Sequence, residues 1–186
     1  MLQEIIIAGF GGQGVMSMGQ LLAYAGMLEG KNVSWIPSYG PEMRGGTANC
    51  SVIISDTEIG SPIVSEPNTI IVLNLPSLKK FEPVLIPGGL LLLSTLKADQ
   101  TYTRKDINGY EIPAVEIADG IGNTKVANMV MLGAYLEATE AVSVDAVIES
   151  LKKVLPQRHH GLIPLNRKAL ELGASEIQKA KKNSFI

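Results

Sequence analysis

Residues 9–14, Gly9-Phe10-Gly11-Gly12-Gln13-Gly14, constrain this chain more than any other segment. They follow a short β-branched run, Glu4 to Ala8, and open a helix-forming stretch from about Gly14 to Glu29. A buried strand that feeds a helix through a glycine turn is the first half of a βαβ unit. Glu4 to Ala8 has no polar alternation, as a strand covered on both faces requires. In the turn, Gly9 is read as permitting the tight bend and Gly11 as letting backbone approach a ligand. Gly14 is read as letting the helix lie close to the strand. Free amides at the helix start and the helix dipole favour an anion there.

The helix stops at Gly30, a suitable residue just past a C-terminus. Gly19 and Gly26 share one of its faces. Each costs a helix about 1 kcal/mol against alanine, so close packing on a sheet is expected. Asn32 to Ile36 is the second strand. Ala48 to Ser55 and Glu58 to Val64 are expected to form a hairpin about Asp56-Thr57. The stretch between Ile36 and Ala48 is too broken for a crossover helix, so an antiparallel intrusion is expected. Thr69 to Leu73, Gly89 to Ser94 and Tyr110 to Val115 complete the strands. Three helices follow: Asn123 to Thr139, one capped by Ser143 and stopped by Pro156, and one from near Pro164 past Ile177. The expected fold is α/β: a single domain over residues 1–186, a Rossmann-like three-layer sandwich. Its sheet is mixed, mostly parallel, and contains an antiparallel hairpin.

Composition narrows the function classes. The 186 residues are 46% hydrophobic and 18% charged, with a net charge of −2. A nucleic-acid binder would carry a basic field, so none is expected. No leader pattern opens the chain, and the run Leu90 to Leu93 is far below the ~20 residues that span a bilayer. A cytoplasmic chain without membrane association is expected. A mean hydropathy of +0.20 suggests that partners cover part of the surface. Cys50 is the only cysteine, which excludes an iron–sulfur cluster and a multi-cysteine zinc centre on this chain. His159-His160 points to no metal site, because neighbouring side chains diverge and no cysteine lies near them in sequence.

The candidate ligand-binding residues fall in two loops and one strand end. They are Gly9, Gly11, Gly12, Gln13 and Gly14 in the first loop. Ser38, Tyr39, Gly40, Pro41, Glu42, Arg44 and Gly45 form the second, and Asn74 follows the fourth strand. All lie beyond carboxyl ends of strands, where open α/β sheets bind ligands. No catalytic residue and no metal ligand is assigned. The glycine motif suits a dinucleotide, but strand two ends Ile36-Pro37-Ser38, without the acid that would hold a ribose. A P-loop is excluded, because Val15-Met16 stand where Lys and Ser/Thr are needed.

Gly-Phe-Gly-Gly-Gln-Gly followed by Tyr39-Gly40-Pro41-Glu42-Met43-Arg44-Gly45-Gly46-Thr47-Ala48 resembles the gamma subunit of 2-oxoacid:ferredoxin oxidoreductases, most of all the 2-oxoglutarate type. The resemblance runs over nearly the whole chain. It implies an enzyme that converts a 2-oxoacid and CoA to acyl-CoA and CO2, with ferredoxin as acceptor. It further implies thiamine diphosphate, Mg2+ and [4Fe-4S] clusters on partner subunits of alpha, beta and delta type. This chain carries neither a thiamine diphosphate signature nor a cluster motif, so no cofactor is expected on it. Alone it should be inactive and open to homodimerisation. Its two loops are expected to face the shared active site, near CoA phosphates. The alternatives are the beta subunit of indolepyruvate:ferredoxin oxidoreductase and a free-standing NAD(P)-binding Rossmann protein.

Overall fold

A computed structural model describes residues 1–38, 47–95 and 101–183. The first strand, β1 (Leu2–Phe10), sits third in a six-stranded sheet of order β2-β3-β1-β4-β5-β6. Around it lie β2 (Asn32–Ser38), β3 (Thr47–Ser55), β4 (Thr69–Val72), β5 (Leu90–Ser94) and β6 (Asn108–Ile112). Strands β1, β4, β5 and β6 are mutually parallel. β3 runs against both of its neighbours, with Ile6 opposite Ser51 and Ile36 opposite Ser51 on its other side. β2 therefore points the same way as β1, and β3 alone is reversed. This is the expected mixed, mostly parallel sheet.

Successive β1 residues face opposite layers, as the pleat dictates. Ile5 and Ile7 enter a large core with α1 (Val15–Leu28), α3 (Ala114–Gly120), α4 (Ala127–Thr139), α5 (Val144–Val154) and α6 (Ile163–Asn183). Ile6 and Ala8 enter a smaller core under α2 (Leu75–Phe81), against Leu78 and Phe81. The sandwich has three layers of unequal thickness. Gly19 and Gly26 meet the sheet closely, as expected. A Cβ at Gly19 would lie 2.6 Å from the Cys50 sulfur, and one at Gly26 would lie 2.6 Å from Val33 Cγ1.

The hairpin is built differently from the sequence expectation. Residues 58–64 form no strand; the antiparallel pair is β2 with β3. β3 already bonds β2 on one side and β1 on the other, so no open edge remains for a further strand. Tyr110 to Val115 is half strand and half helix, because Pro113 ends β6 and α3 starts at Ala114. The short helix α2 was not foreseen. Its signal was present: Asn74 caps it by accepting the Ser77 amide at 2.8 Å, with Pro76 in its first turn. Ser143 caps α5 as expected, accepting the Ala146 amide at 3.1 Å. The helix placed at Asn123 begins as a 3-10 turn, Thr124–Val126, before α4.

α4 is buried without interruption from Met129 to Leu136. A helix apolar all round needs cover all round, which the sheet and α6 supply. Gly133 and Gly173 set the α4–α6 approach. A Cβ at Gly133 would come within 2.0 Å of the Leu170 carbonyl oxygen, and one at Gly173 within 1.8 Å of the Val130 carbonyl oxygen. The two helices therefore meet backbone to backbone.

Candidate functional site

Because β1, β2, β4, β5 and β6 share one direction, their carboxyl ends lie along one edge of the sheet. The glycine turn leaves β1 at this edge. The second loop leaves from Ser38 and returns at Thr47, which pairs with Phe10. Its returning anchor, Thr47, therefore stands beside the glycine turn, and Ser38 lies on the same edge with β3 between it and β1. Tyr39, Gly40, Pro41, Glu42, Arg44 and Gly45 themselves lie outside the described residues.

Gln13 holds the turn in shape. Its side-chain oxygen accepts the Phe10 amide at 2.6 Å, and its side-chain nitrogen donates to the Leu73 carbonyl at 3.2 Å. One side chain thus ties the end of β1 to the end of β4. Asn74 stands behind it, only 4% exposed, with its amide nitrogen 3.5 Å from the Gln13 oxygen. Its own oxygen is spent on the α2 cap, so it supports the turn from beneath. Gly9 is needed for space: a Cβ there would lie 2.8 Å from the Gln13 oxygen and 3.0 Å from the Leu73 Cβ. Gly11 is exposed at the tip.

Gly12 and Gly14 adopt φ of +93° and +80°, a left-handed conformation that side chains resist. Gly14 differs from its sequence reading. A Cβ on it would meet Asn128 of α4 at 2.4 Å, so the close approach is to a helix and not to a strand. Gly14 is also the N-cap of α1, and no side chain caps that helix. Its first-turn amides are orphan donors next to the edge of the sheet.

Two cavities open at this edge. The first, about 300 Å3, is lined by Gly12, Gln13, Leu73, Ser94, Lys125 and Asn128, among others. The second, about 500 Å3, lies between the starts of α1, α4 and α6 and the end of α5. Both share Gly12, Lys125 and Asn128, so they adjoin. Lys125 is exposed and forms no ion pair with the described residues. Lys125 and Asn128 were not among the residues singled out from sequence. Asn123-Thr124-Lys125 is legible as a helix cap, but only the fold aims it at the glycine turn.

His159 lines the second cavity, whereas His160 and Cys50 line neither of the two. Among the described residues, no three His, Cys, Asp or Glu side chains converge to hold a metal. His160 bonds the Leu155 carbonyl at 3.1 Å, while His159 accepts from Arg158 at 3.2 Å. Cys50 is 0% exposed, and burial pushes its thiol up from 9.0 to about 12. At pH 8 roughly one thiol in ten thousand would be ionised. The folded chain should resist a disulfide reagent at pH 8 for hours and react within minutes in denaturant. Fast labelling of the folded chain would contradict this burial. Between pH 9 and about 12 the unfolded chain loses this proton while the folded chain keeps it, so stability falls as pH rises through that window.

Among the described residues, no helix is long and apolar enough to cross a membrane. Residues 4–176 match the family model "Pyruvate ferredoxin/flavodoxin oxidoreductase". The 2-oxoglutarate synthase subunit KorC of Methanothermobacter marburgensis is 36% identical over 98% of this chain and 100% of its own length. The ketoisovalerate oxidoreductase subunit VorA of the same organism is 40% identical over 98% of this chain. This chain spans only 38% and 35% of two VorA relatives. Among solved structures, the gamma subunit of a keto/oxoacid ferredoxin oxidoreductase from Geobacter sulfurreducens superposes with a TM-score of 0.79 at 29% identity. That match covers 95% of this chain and 99% of the other. The 2-oxoglutarate:ferredoxin oxidoreductase of Magnetococcus marinus, solved with 2-oxoglutarate, coenzyme A and succinyl-CoA bound, shares the fold at a TM-score of 0.85 and 22% identity. It is matched over 96% of this chain and 31% of its own. With the sheet, the glycine turn and a family match over almost its full length in agreement, the chain belongs to the pyruvate ferredoxin/flavodoxin oxidoreductase family.

Proposed function

We propose that this chain is the gamma subunit of a multi-subunit 2-oxoacid:ferredoxin oxidoreductase, and that its glycine turn and second loop contact coenzyme A. The end-to-end match to a KorC subunit carries this reading, because it leaves no large piece of that subunit unaccounted for. A 2-oxoacid and CoA would give acyl-CoA and CO2, with ferredoxin taking the electrons. The hard chemistry of such a reaction belongs to cofactors, and protein supplies binding and orientation. This chain's donor set suits no cluster, since its one cysteine is sealed under α1. Thiamine diphosphate, Mg2+ and [4Fe-4S] clusters then reside on alpha, beta and delta-type partners. Tyr24, Met27 and Leu28 leave an exposed apolar strip on α1, which suits burial against a partner.

Coenzyme A fits this edge of the sheet for electrostatic reasons. Uncapped α1 amides and Lys125 favour its phosphates, and the second loop brings Arg44 in sequence between Ser38 and Thr47. The M. marinus enzyme, which shares the fold, binds coenzyme A. An NAD(P) protein fits less well, because β2 ends at Pro37-Ser38 with no carboxylate. The 2-oxoglutarate type is favoured by the full-length KorC match, and a branched-chain 2-oxoacid by the higher VorA identity.

Co-expression with alpha, beta and delta-type chains tests the assignment. The assembled enzyme should reduce ferredoxin with 2-oxoglutarate and CoA, and this chain alone should not reduce a dye with either. Turnover by the lone chain, or failure to co-purify with partners, would overturn it. Arg44→Ala should raise the apparent KM for CoA roughly tenfold, the loss of one charge-assisted contact, with assembly intact. An unchanged KM would remove Arg44 from the CoA contact.

A further inference from the structure

We propose that the bare edge of β2, together with the outward flank of α1, joins two copies of this chain about a two-fold axis, β2 against β2 in antiparallel order. The sheet ends at β2 on one side and at β6 on the other. The two edges differ. β6 carries Glu111, and Tyr102 lies against Gly109, its hydroxyl donating to the Gly109 carbonyl at 3.2 Å. β2 pairs with β3 and with no other described strand, so one of its sides is open. Exposed edges are normally guarded by charge, a bulge or proline. None of Asn32–Ser38 is charged, and Pro37 withdraws one donor only near the end.

α1 supplies the second observation. Gly19 packs on Trp35 and Cys50, and Gly26 on Val33, so the helix lies over β2 at the margin of the sheet. α5 takes another side of the helix. Tyr24, Met27 and Leu28 are left exposed, Met27 by 58%. No residue of α1, from Val15 to Leu28, is charged. A surface helix ordinarily puts charge on its outer face, as α6 does with Lys168 and Glu171. Loss of charge around tyrosine and methionine is the composition of an interface core. The charges that follow α1 are engaged elsewhere. Glu29 accepts the Ser143 amide at 2.7 Å, and Lys31 donates to the Ala141 carbonyl at 2.9 Å.

A second copy is the occupant these features select. A two-fold sets each residue near its axis beside the same residue, so a charged surface there would repel itself. This one has no charge to repel. With Pro37 left out, pairing over Asn32 to Ile36 sets Ser34 opposite the partner's Ser34. Both α1 helices then stand on one face of the joined sheet and close over the new strand pair. The carboxyl edges of the two copies point in opposite directions, so each glycine turn stays open to other subunits. β2 and the flank of α1 offer about 15 residues a side, below the 20–30 of a standard interface, so a Kd of roughly 1–100 µM is expected.

Sedimentation equilibrium of the full chain over about 1–300 µM should show monomer and dimer in exchange. Ser34→Lys and Ser34→Glu should each weaken the dimer about tenfold or more, because like charges then face each other across the axis. Mixed in equal amounts, the two variants should pair within about threefold of the original affinity. Val84→Lys, exposed just past α2, should change nothing. Hydrogen exchange of the unmodified chain covers the case where the Ser34 variants fail to fold. Amides of β2 should slow about fivefold from the lowest to the highest concentration, and those of β6 should not. A chain that stays monomeric, a dimer indifferent to Ser34, a mixture that fails to pair, or β2 exchange that ignores concentration would overturn the pairing. Protection of β2 only on addition of alpha, beta or delta-type chains would give the edge to another subunit and overturn it likewise.

Discussion

Gly173→Ala should destabilise the chain by about 3 kcal/mol or more, at the upper end of overpacking costs. The added methyl would fall 1.8 Å from the Val130 carbonyl oxygen and 3.0 Å from the Ala134 nitrogen. Both neighbours are helix backbone, which has no rotamer to swing away. α4 and α6 would have to separate, and Gly133 would lose its own close seat on Leu170. Against a total stability of about 5–15 kcal/mol, this is a large fraction. Urea unfolding measures it. Gly60→Ala is the control, because nothing lies within 4 Å of its added methyl. It should shift stability by no more than about 0.5 kcal/mol. A Gly173→Ala loss below about 1 kcal/mol would mean that α4 and α6 do not touch backbone to backbone.

Gln13→Ala should cost about 2 kcal/mol and loosen the glycine turn. Two hydrogen bonds vanish, and the buried Leu73 carbonyl loses its side-chain donor. The Phe10 amide would lose its acceptor, so its hydrogen exchange should speed up at least tenfold. Gln13→Glu separates the two bonds. The acceptor for Phe10 survives, but a carboxylate then faces the Leu73 carbonyl with no proton to offer. It should protect Phe10 while leaving stability close to that of the alanine variant. If both variants exchange like the original chain, Gln13 does not hold the turn. Under the proposed CoA contact, both variants should raise the KM for CoA in the assembled enzyme, because the orphan amides of α1 would no longer be aimed.

Much of the fold follows from short-range pattern. The β-branched run in β1, the Gly-x-Gly-x-x-Gly turn, the Ser143 cap and the Pro156 stop all act through local backbone preference, so they are visible in the residues themselves. The same holds for Gly19 and Gly26, whose cost in a helix announces close packing. Residues 58–64 went astray because a strand needs a partner, and both sides of β3 were already taken. α2 went unnoticed because seven residues are too few to show a period of 3.6, although Asn74 and Pro76 marked its start.

The glycine turn and its preference for an anion are written in six consecutive residues, since conformational freedom and unpaired amides are properties of the backbone where it stands. What faces that turn is not written there. Gly14 meets Asn128, Gln13 reaches Leu73, and Lys125 approaches Gly12 across more than 100 positions of chain. Those meetings arise only when the sheet order brings β4 beside β1 and the Gly133–Gly173 crossing sets α4 against α6, because packing, unlike backbone preference, depends on which surfaces the whole molecule brings together.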